Sequence, residues 1–333
     1  MSEAADKVSA DRALRIGVIG VGVMGSNHAR VLSELPGVKL AGVVDPDRKQ
    51  RETVARHIGC PAFLDLASLI AAGVDAITIA APTHLHRDIA IECASRGIHI
   101  LVEKPIASTI EEGNDIVAAA RRAGITLMAG HVERFNPAVE AIKRAIKGQH
   151  ILSIAVTRVG PFPPRMSNVG VVIDLAVHDI DLIRWFTDSE IVEIQPQTSS
   201  AVAEREDIAL LQFRTASGVL AQINTNWLTP FKARNITIAT RDKYLMADLL
   251  TLQVTECFGF QPDGSYSMRH LSVGYAEPLR SELLAFINAI RARGKPAVTG
   301  EEAVASLEIA IRCLSARSAQ STAPRKGPRR VVG

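Results

Sequence analysis

The sequence of 333 residues lacks the features that define disulfide-rich, zinc-binding and membrane-spanning proteins. Its four cysteines lie far apart without a C-x-x-C pair, which argues against a disulfide framework or a cysteine zinc site and favours reduced thiols. No apolar run approaches the length of a membrane span. Residues 1–15 are polar and lack the apolar segment of a signal peptide. We therefore expect a cytoplasmic protein that does not act at a membrane.

Positive charge is concentrated at the end of the chain. The net charge is +3, but residues 317–333 carry five cations and no acid, so the remainder carries about −2. This pattern predicts a basic disordered tail over 317–333 and no nucleic-acid footprint on the folded part. The length favours two domains, which we predict at residues 12–130 and 131–316.

The first apolar segment runs into a glycine-rich turn. Residues 15–19 predict a short strand, and Gly20-x-Gly22-x-x-Gly25 leads into a helix predicted over residues 26–35. Gly20 permits the tight turn, Gly22 lets a pyrophosphate approach the backbone, and Gly25 lets helix and strand pack closely. Because the motif follows a strand and opens a helix, we interpret it as a dinucleotide-binding turn rather than a glycine turn without a ligand.

A second predicted strand, residues 38–44, indicates which dinucleotide binds. It ends in Asp45, twenty residues after Gly25, where an acid binds the adenosine ribose. Asp45 should repel the 2′-phosphate of NADP, so NAD is the predicted cofactor. Arg48 nearby weakens that preference slightly.

The order of predicted elements indicates two different sheets. Strands and helices alternate with βαβ spacing up to residue 129, which is typical of a parallel doubly wound sheet. Beyond residue 150, seven further segments read as strands, several with alternating polarity, and predict a large open, mostly antiparallel sheet. Late helices at 277–293 and 300–316 are expected to pack back on the body. The predicted fold class is α/β, with an N-terminal Rossmann sheet and a C-terminal α+β domain.

The strand predicted over residues 98–103 carries the main candidate catalytic side chain. It ends in Glu103-Lys104-Pro105, and ligands of an open α/β sheet bind just beyond the carboxyl ends of the strands. We therefore expect Lys104 at the lip of the ligand crevice, with Pro105 stiffening the turn. The bare tripeptide would read as a surface lysine before a loop proline, but the surrounding elements favour the functional interpretation.

A helix predicted over residues 171–186 interrupts the second set of strands. Asp174, His178 and Asp181 have the spacing i, i+4, i+7, which predicts a polar stripe on one helical face. A histidine between two acids can be held in one tautomer and tuned near neutral pH, so His178 is a candidate base. From the helix alone, a buried polar staple is an equally good interpretation.

Two histidines, His84 and His86, open another helix beside the expected cofactor site. No third ligand is evident, so polar lining is favoured over a metal site, and no metal is predicted. The predicted cofactor contacts are Gly20, Gly22, Val23, Met24, Gly25, Asp45, Arg48, Ala81, Pro82, Thr83, His86, Glu103 and Lys104.

Three motifs together resemble one enzyme family. Gly20-x-Gly22-x-x-Gly25, Glu103-Lys104-Pro105 and Asp174-x-x-x-His178 are similar to motifs of the glucose–fructose oxidoreductase/inositol dehydrogenase (Gfo/Idh/MocA) family. The resemblance covers nearly the whole chain. It implies a nicotinamide cofactor on the first domain, a sugar site on the second, and Lys104, Asp174 and His178 as the catalytic group. It also implies a cis Lys104–Pro105 peptide and a homotetramer, with a dimer as the alternative.

Residues 130–137, residues 158–165 and the Asp174 helix resemble, within that family, the UDP-N-acetylglucosamine 3-dehydrogenases. Such enzymes oxidise the sugar C3 hydroxyl, and a PLP-dependent aminotransferase then makes a 3-amino sugar, for example for lipid A. The resemblance implies this reaction here, with His178 as the base, Asp174 orienting it, and Lys104 bonding the same oxygen or sharing the role. The alternatives are the corresponding uronate, a free polyol, and a non-catalytic sugar sensor on the same fold.

A nucleotide sugar needs cations for its diphosphate and an apolar wall for its uracil. The predicted substrate contacts are Arg134, Phe135, Arg158, Phe162, Arg165, Asp174 and His178, with Lys232, Arg234, Trp227 and Phe231 as further candidates. The outer face of the second sheet is predicted to present Gln222, Asn224 and Asn226 with few charges, which suits contact between subunits.

Overall fold

The structure, a computed structural model, describes residues 12–162 and 169–320, which form two sheets with helices packed on them. The first sheet has six parallel strands in the order β3-β2-β1-β4-β5-β6. The strands are β1 (Leu14–Ile19), β2 (Val38–Val44), β3 (Ala62–Phe63), β4 (Ala76–Ile79), β5 (His99–Glu103) and β6 (Leu127–Gly130). This order confirms the predicted doubly wound sheet, whose crevice lies between β1 and β4, where the order reverses.

Helices alternate with these strands, and the helix ends follow local sequence signals. The helices are α1 (Val23–Glu34), α2 (Arg48–Ile58), α3 (Leu66–Ala71), α4 (His86–Ser95) and α5 (Ile110–Ala123). Asp47, Asp65 and Thr109 cap α2, α3 and α5 by accepting a backbone N–H three residues later. Helices α2 and α5 end at the left-handed residues Gly59 and Gly124.

The second sheet has eight strands in the order β14-β13-β12-β11-β7-β10-β9-β8. The strands are β7 (Ile151–Pro161), β8 (Ile191–Ser199), β9 (Ile208–Thr215), β10 (Leu220–Asn226), β11 (Leu228–Thr240), β12 (Lys243–Asp248), β13 (Gln253–Phe258) and β14 (Ser267–His270). Strands β7 and β10 pair in parallel and the other neighbours pair antiparallel. The sheet is therefore open and mostly antiparallel, as predicted.

Two short strands were missed from the sequence. Strand β3 has two residues, too few to show a period. Strand β14 lies at the sheet edge with all four residues exposed, so it shows no apolar alternation.

The remaining helices pack on the two sheets, and the last of them reaches both cores. They are α6 (Pro137–Ala145), α7 (Val177–Thr187), α8 (Pro278–Ala292) and α9 (Gly300–Gln320), with a π-helical turn at Val172–Ala176 before α7. Leu283 and Phe286 of α8 pack into the core of the first sheet. Helix α9 contributes Leu307 to that core and Cys313 to the core of the second sheet. The late helices thus pack back on the body, as expected.

Some predictions fall at or beyond the described residues. Residues 317–320 continue α9, so the predicted tail begins later than residue 317, and the remainder of the tail lies outside the described residues. The division at residues 12–130 and 131–316 stays a prediction. Within the ranges 12–162 and 169–320, no helix combines the length and apolar character needed to cross a membrane.

Candidate active site

The glycine turn joins β1 to α1 at the carboxyl edge of the first sheet. Gly20 has a φ of +80°, and a Cβ there would lie 2.6 Å from the backbone nitrogen of Ala81. A Cβ on Gly25 would lie 1.7 Å from the carbonyl oxygen of Gly20. At Gly22, by contrast, no described atom outside its two chain neighbours lies within 4 Å of the Cβ position. Open space therefore faces the start of α1, where a pyrophosphate fits.

The side chains around that space agree with a bound dinucleotide. Val23, with 72% of its surface exposed, and Met24 stand at the turn. Asp45 is half-buried, and its two oxygens each accept a backbone N–H at 2.9 Å, from Val21 and from Asp47. Each carboxylate oxygen retains a lone pair that can accept a ribose hydroxyl.

The loop after β4 borders the glycine turn and carries three predicted cofactor contacts, Ala81, Pro82 and Thr83. His86 lies beneath this loop, buried, with Nε2 2.9 Å from the carbonyl oxygen of Ala81 and Nδ1 3.1 Å from that of Pro105. Burial lowers the pKa of His86. His86 thus joins two backbone segments below the cleft, a different position from the polar lining that we predicted.

Two other predicted cofactor contacts have partners within the protein. The exposed guanidinium of Arg48 donates to Glu52 along α2 at 2.7 Å. Glu103 is buried behind the sheet edge and bonds His28 at 2.9 Å. Both side chains are therefore oriented by contacts within the protein.

Lys104 lies at the end of β5, as predicted, and the Lys104–Pro105 peptide is cis, which confirms that prediction. Its Nζ donates to Asp174 Oδ1 at 2.9 Å and to the Asp174 carbonyl oxygen at 2.7 Å. About a fifth of each side chain is exposed, 19% for Lys104 and 20% for Asp174. The fold therefore brings these two residues together from positions 70 apart in the sequence.

The prediction that Asp174, His178 and Asp181 form one polar stripe was wrong for Asp174. Val172–Ala176 wind as a π-helix, and α7 begins at Val177. The wider turn rotates Asp174 away from the stripe. Asp174 bonds Lys104, whereas Asp181 bonds Arg134. Among the described residues no hydrogen bond joins Asp174 to His178, so the predicted orienting contact is not formed.

His178 is buried in the first turn of α7, and its Nδ1 has no hydrogen-bond partner among the described residues. Its ring packs edge-on against His131, with the ring centroids 6.2 Å apart. Burial lowers the pKa of His178 well below its ordinary value, and the charges of Lys104 and Arg158 lower it further. His178 is therefore a neutral imidazole at neutral pH and can accept a proton.

Two arginines predicted to contact the substrate lie instead in internal ion pairs. Arg134 donates to the two oxygens of Asp181 at 2.6 and 2.7 Å. Arg158 donates to Asp179 at 2.8 Å and to Glu133 at 2.7 Å. Only 5% of Arg134 and 2% of Arg158 is exposed. Sequence spacing did not reveal these pairs because their members come from separate elements.

Two of the predicted aromatic walls also belong to the interior. Phe135 and Trp227 are buried in the two cores. Phe162 stacks edge-on against Trp227 with ring centroids 5.8 Å apart, and Phe231 is exposed. Phe162 and Phe231 therefore remain as surface candidates, and Arg165 lies outside the described residues.

A cavity of about 460 Å³ opens beside Lys104 and Asp174. Thr83 and the exposed Arg205 also line it. Sequence reasoning missed Arg205 because its loop shows neither a helical nor a strand period. Arg234 is one third exposed and donates to Glu133 at 2.7 Å.

These features define a class of protein. A dinucleotide turn with an acid after β2, a lysine at the end of β5, and a neutral histidine on α7 are the parts of a nicotinamide-dependent oxidoreductase.

The comparisons with known proteins identify the family. Residues 14–131 match the GFO/IDH/MocA model described as an oxidoreductase family with an NAD-binding Rossmann fold. Residues 155–244 match the model of the GFO/IDH/MocA C-terminal domain. The chain therefore belongs to the Gfo/Idh/MocA family of oxidoreductases. The predicted cofactor, NAD, is the one that the first domain of this family binds, and the prediction of an enzyme is confirmed.

Individual relatives act on different substrates. The chain is 31% identical over 283 residues to the UDP-N-acetylglucosamine 3-dehydrogenase of Acidithiobacillus ferrooxidans, covering 84% of this chain and 89% of that one. The solved structure of that enzyme superimposes with a TM-score of 0.85 at 29% identity, over 90% of this chain and 96% of the other. The scyllo-inositol 2-dehydrogenase (NAD(+)) of Bacillus subtilis is 28% identical over 322 residues, 90% of this chain and 92% of that one.

Proposed function

We propose that this protein oxidises the C3 hydroxyl of UDP-N-acetylglucosamine to a ketone with NAD. The observation that carries the proposal is the Lys104–Asp174 contact, at 2.9 Å, in the same region as His178 and at the edge of the sheet that bears the glycine turn. An alcohol dehydrogenase needs a proton acceptor and a hydrogen-bond donor at the reacting oxygen. His178 and Lys104 supply one each.

In this mechanism His178 takes the hydroxyl proton. Its imidazole is neutral because burial and neighbouring cations disfavour the charged form. Lys104 is the donor to the same oxygen, because the ammonium has three N–H groups and Asp174 accepts two of them. Asp174 thereby orients Lys104, in place of the role toward His178 that we predicted. NAD, when bound, accepts the hydride from the sugar carbon.

The residues at the mouth of the site support a nucleotide sugar. Arg205 lines the cavity, Lys232 is exposed on β11, and Arg234, two residues further along, is one third exposed beside Glu133. These cations are our candidates for contacting a diphosphate. Phe162 and Phe231 are candidates for the wall beside the uracil. Likeness to the Acidithiobacillus enzyme, over 89% of its length, supports the same substrate.

A polyol is the second candidate, because the relatives include inositol dehydrogenases as well as the nucleotide-sugar enzyme. Several of them are named inositol 2-dehydrogenases, one of which is 33% identical over 64% of this chain. The internal pairing of Arg134 and Arg158 also removes two of the cations that we had assigned to a diphosphate. The uronate of the same nucleotide sugar remains a third candidate.

The proposed product implies a functional partner. A 3-keto sugar is a substrate for a PLP-dependent aminotransferase, and the two reactions together belong to cytoplasmic 3-amino-sugar synthesis of the lipid A type.

The proposed assembly depends on the second sheet. Its outer face carries the exposed residues Gln222, Asn224, Leu210 and Leu220. This face is partly apolar, and its charged members Arg214 and Glu193 pair with each other. Such a face supports a homotetramer, or a dimer, built by sheet-on-sheet contact. A monomeric mass by light scattering at micromolar concentration would reject it.

The reaction is tested by NADH absorbance with a panel of UDP-N-acetylglucosamine, its uronate, myo-inositol and scyllo-inositol. The proposal predicts the highest kcat/KM for UDP-N-acetylglucosamine and a kcat about a hundredfold or more lower for the Lys104→Met variant. A higher kcat/KM for an inositol would change the assigned substrate from a nucleotide sugar to a polyol. A higher value for the uronate would change the sugar and leave the C3 chemistry standing.

A further inference from the structure

A buried cluster of ionisable side chains lies behind Lys104 and has no part in the mechanism above. His28 comes from α1, Glu103 from the end of β5, and Glu282 from α8. One ligand atom from each side chain lies within 4.8 Å of the others. His28 and Glu282 are 0% exposed and Glu103 is 7% exposed.

Hydrogen bonds are distributed unequally between the two carboxyl groups. Glu103 Oε1 lies 2.9 Å from His28 Nε2, and Glu103 Oε2 accepts the backbone N–H of Lys104 at 3.1 Å. Both oxygens of Glu282 are buried without a partner among the described residues. An ionised carboxylate without a donor is very unfavourable in such a place.

Two buried carboxyl groups this close do not both ionise. The titratable groups that face Glu103 are His28, Lys104, His86 and His131. Glu282 faces Glu103 and His28, and no described group donates a hydrogen bond to it. The negative charge therefore resides on Glu103 and the proton on Glu282. Burial and the charge of Glu103 raise the pKa of Glu282 well above its ordinary value, whereas His28 and Lys104 outweigh burial and lower that of Glu103.

We propose that Glu282 keeps its proton in the folded protein and, through Glu103, acts as a positioning residue for Lys104. A neutral Glu282 leaves the Glu103 carboxylate free to hold the Lys104 backbone and His28, and its O–H can point to Glu103. An ionised Glu282 would repel Glu103 and weaken both contacts. The first half of the proposal is independent of the reaction, and the second half rests on the proposed function.

The protonation is tested by unfolding as a function of pH, which needs no substrate. A raised pKa in the folded state means that stability from Glu282 is complete below about pH 4.5, its value when unfolded, and is lost as the pH rises. Glu282→Gln cannot ionise, so its Tm should rise relative to wild type from pH 4.5 to pH 8. The exposed Glu308→Gln is the control and should show no such trend. A Tm difference for Glu282→Gln that is flat with pH, or that falls, would overturn the proposal.

The positioning role is tested by comparing Glu282→Gln with Glu282→Leu. The amide can still donate to Glu103, so Glu282→Gln should keep kcat within about twofold, whereas Glu282→Leu should lower kcat about ten- to a hundredfold with the Kd for NAD unchanged. The Lys104 ammonium NMR signal, assigned by its loss in Lys104→Met, should shift in Glu282→Leu only. This signal reports the position of Lys104 even if the substrate proves to be different. Equal kcat and NMR effects in both variants would reject the role.

A bound metal is the competing explanation for the same three side chains. Elemental analysis of the purified protein distinguishes the two. We expect less than about 0.1 metal ion per chain, with no change in Tm on adding zinc. A stoichiometric metal that Glu282→Gln loses would overturn the proposal.

Discussion

The ammonium of Lys104 donates to both the side-chain carboxylate and the backbone carbonyl of Asp174, at 2.9 and 2.7 Å. This contact joins the end of β5 to the π-helical turn before α7. It therefore fixes the lysine of the first sheet against the element that carries His178.

Removing either proposed catalytic side chain should lower turnover and spare the cofactor. Lys104→Met and His178→Asn should each lower kcat about a hundredfold or more, because a general base or a donor at the reacting oxygen is lost. The Kd for NAD should stay near the wild-type value, since the proposed pyrophosphate and ribose contacts are at Gly22 and Asp45. Steady-state kinetics and NAD titration measure the two quantities. An unchanged kcat in either variant would remove that residue from the mechanism.

The pH dependence should report a base with a lowered pKa. Only the neutral imidazole of His178 accepts the proton, so activity is lost as the pH falls through its pKa. Because burial places that pKa well below 6.5, kcat/KM should remain high at pH 6.5 and decline only at lower pH. A profile of kcat/KM from pH 4.5 to 9 checks this, with the exposed His57→Asn as control. An acid limb centred at or above pH 6.5 would contradict the assignment.

The two glycines of the turn should respond differently to alanine. At Gly22 the added methyl enters open space, so Gly22→Ala should fold normally and bind NAD at least about tenfold more weakly, because the methyl lies where the pyrophosphate approaches. At Gly25 the methyl would lie 1.7 Å from a backbone oxygen, so Gly25→Ala should lower Tm as well. Calorimetry of binding and unfolding separates the two. Equal losses of Tm would be inconsistent with the open space at Gly22.

Selection against NADP should depend on Asp45. Asp45→Asn removes the charge that repels a 2′-phosphate and keeps an oxygen for the N–H of Val21. The ratio of kcat/KM for NAD to that for NADP should fall about tenfold or more, while Asp47→Asn, which alters an exposed cap of α2, should leave the ratio unchanged. Wild-type turnover of NADP equal to that of NAD would refute the role of Asp45.

The buried arginine beneath the site should be important for stability. Arg158→Met leaves Glu133 and Asp179 buried without their principal partner, so the free energy of unfolding should fall by about 3–5 kcal/mol. The exposed pair Arg214–Glu193 is the matched control, and Arg214→Met should cost about 0–1 kcal/mol. Urea unfolding monitored by fluorescence measures both. Equal small losses would mean that the buried cluster stabilises little.

The sequence was sufficient for those features that are set by local chemistry. Gly20 and Gly25 have conformations or contacts that exclude a side chain, so their role could be predicted from spacing. The caps Asp47 and Thr109 satisfy backbone groups within their own helices. The two kinds of sheet followed from strand period and order.

The features that were missed depend on contacts between distant elements. Arg134 looked like a loop cation, but the fold closes α7 over it and supplies Asp181. Nothing in the spacing of Asp174 and His178 distinguishes a π-turn from an α-turn, and that difference sends Asp174 to Lys104. Phe135 and Trp227 are equally suited to a ligand wall and to a core, and only packing decides between them.

The most direct test of the central claim is the fate of the hydrogen on C3 of the sugar. UDP-N-acetylglucosamine carrying deuterium at C3 is incubated with the enzyme and NAD, and the reduced cofactor is examined by proton NMR. The account predicts that the nicotinamide C4 position acquires the deuterium and that a 3-keto sugar nucleotide forms in equal amount. Reduced cofactor without deuterium would contradict it. So would a failure of the nucleotide sugar to reduce NAD under conditions in which an inositol does reduce it.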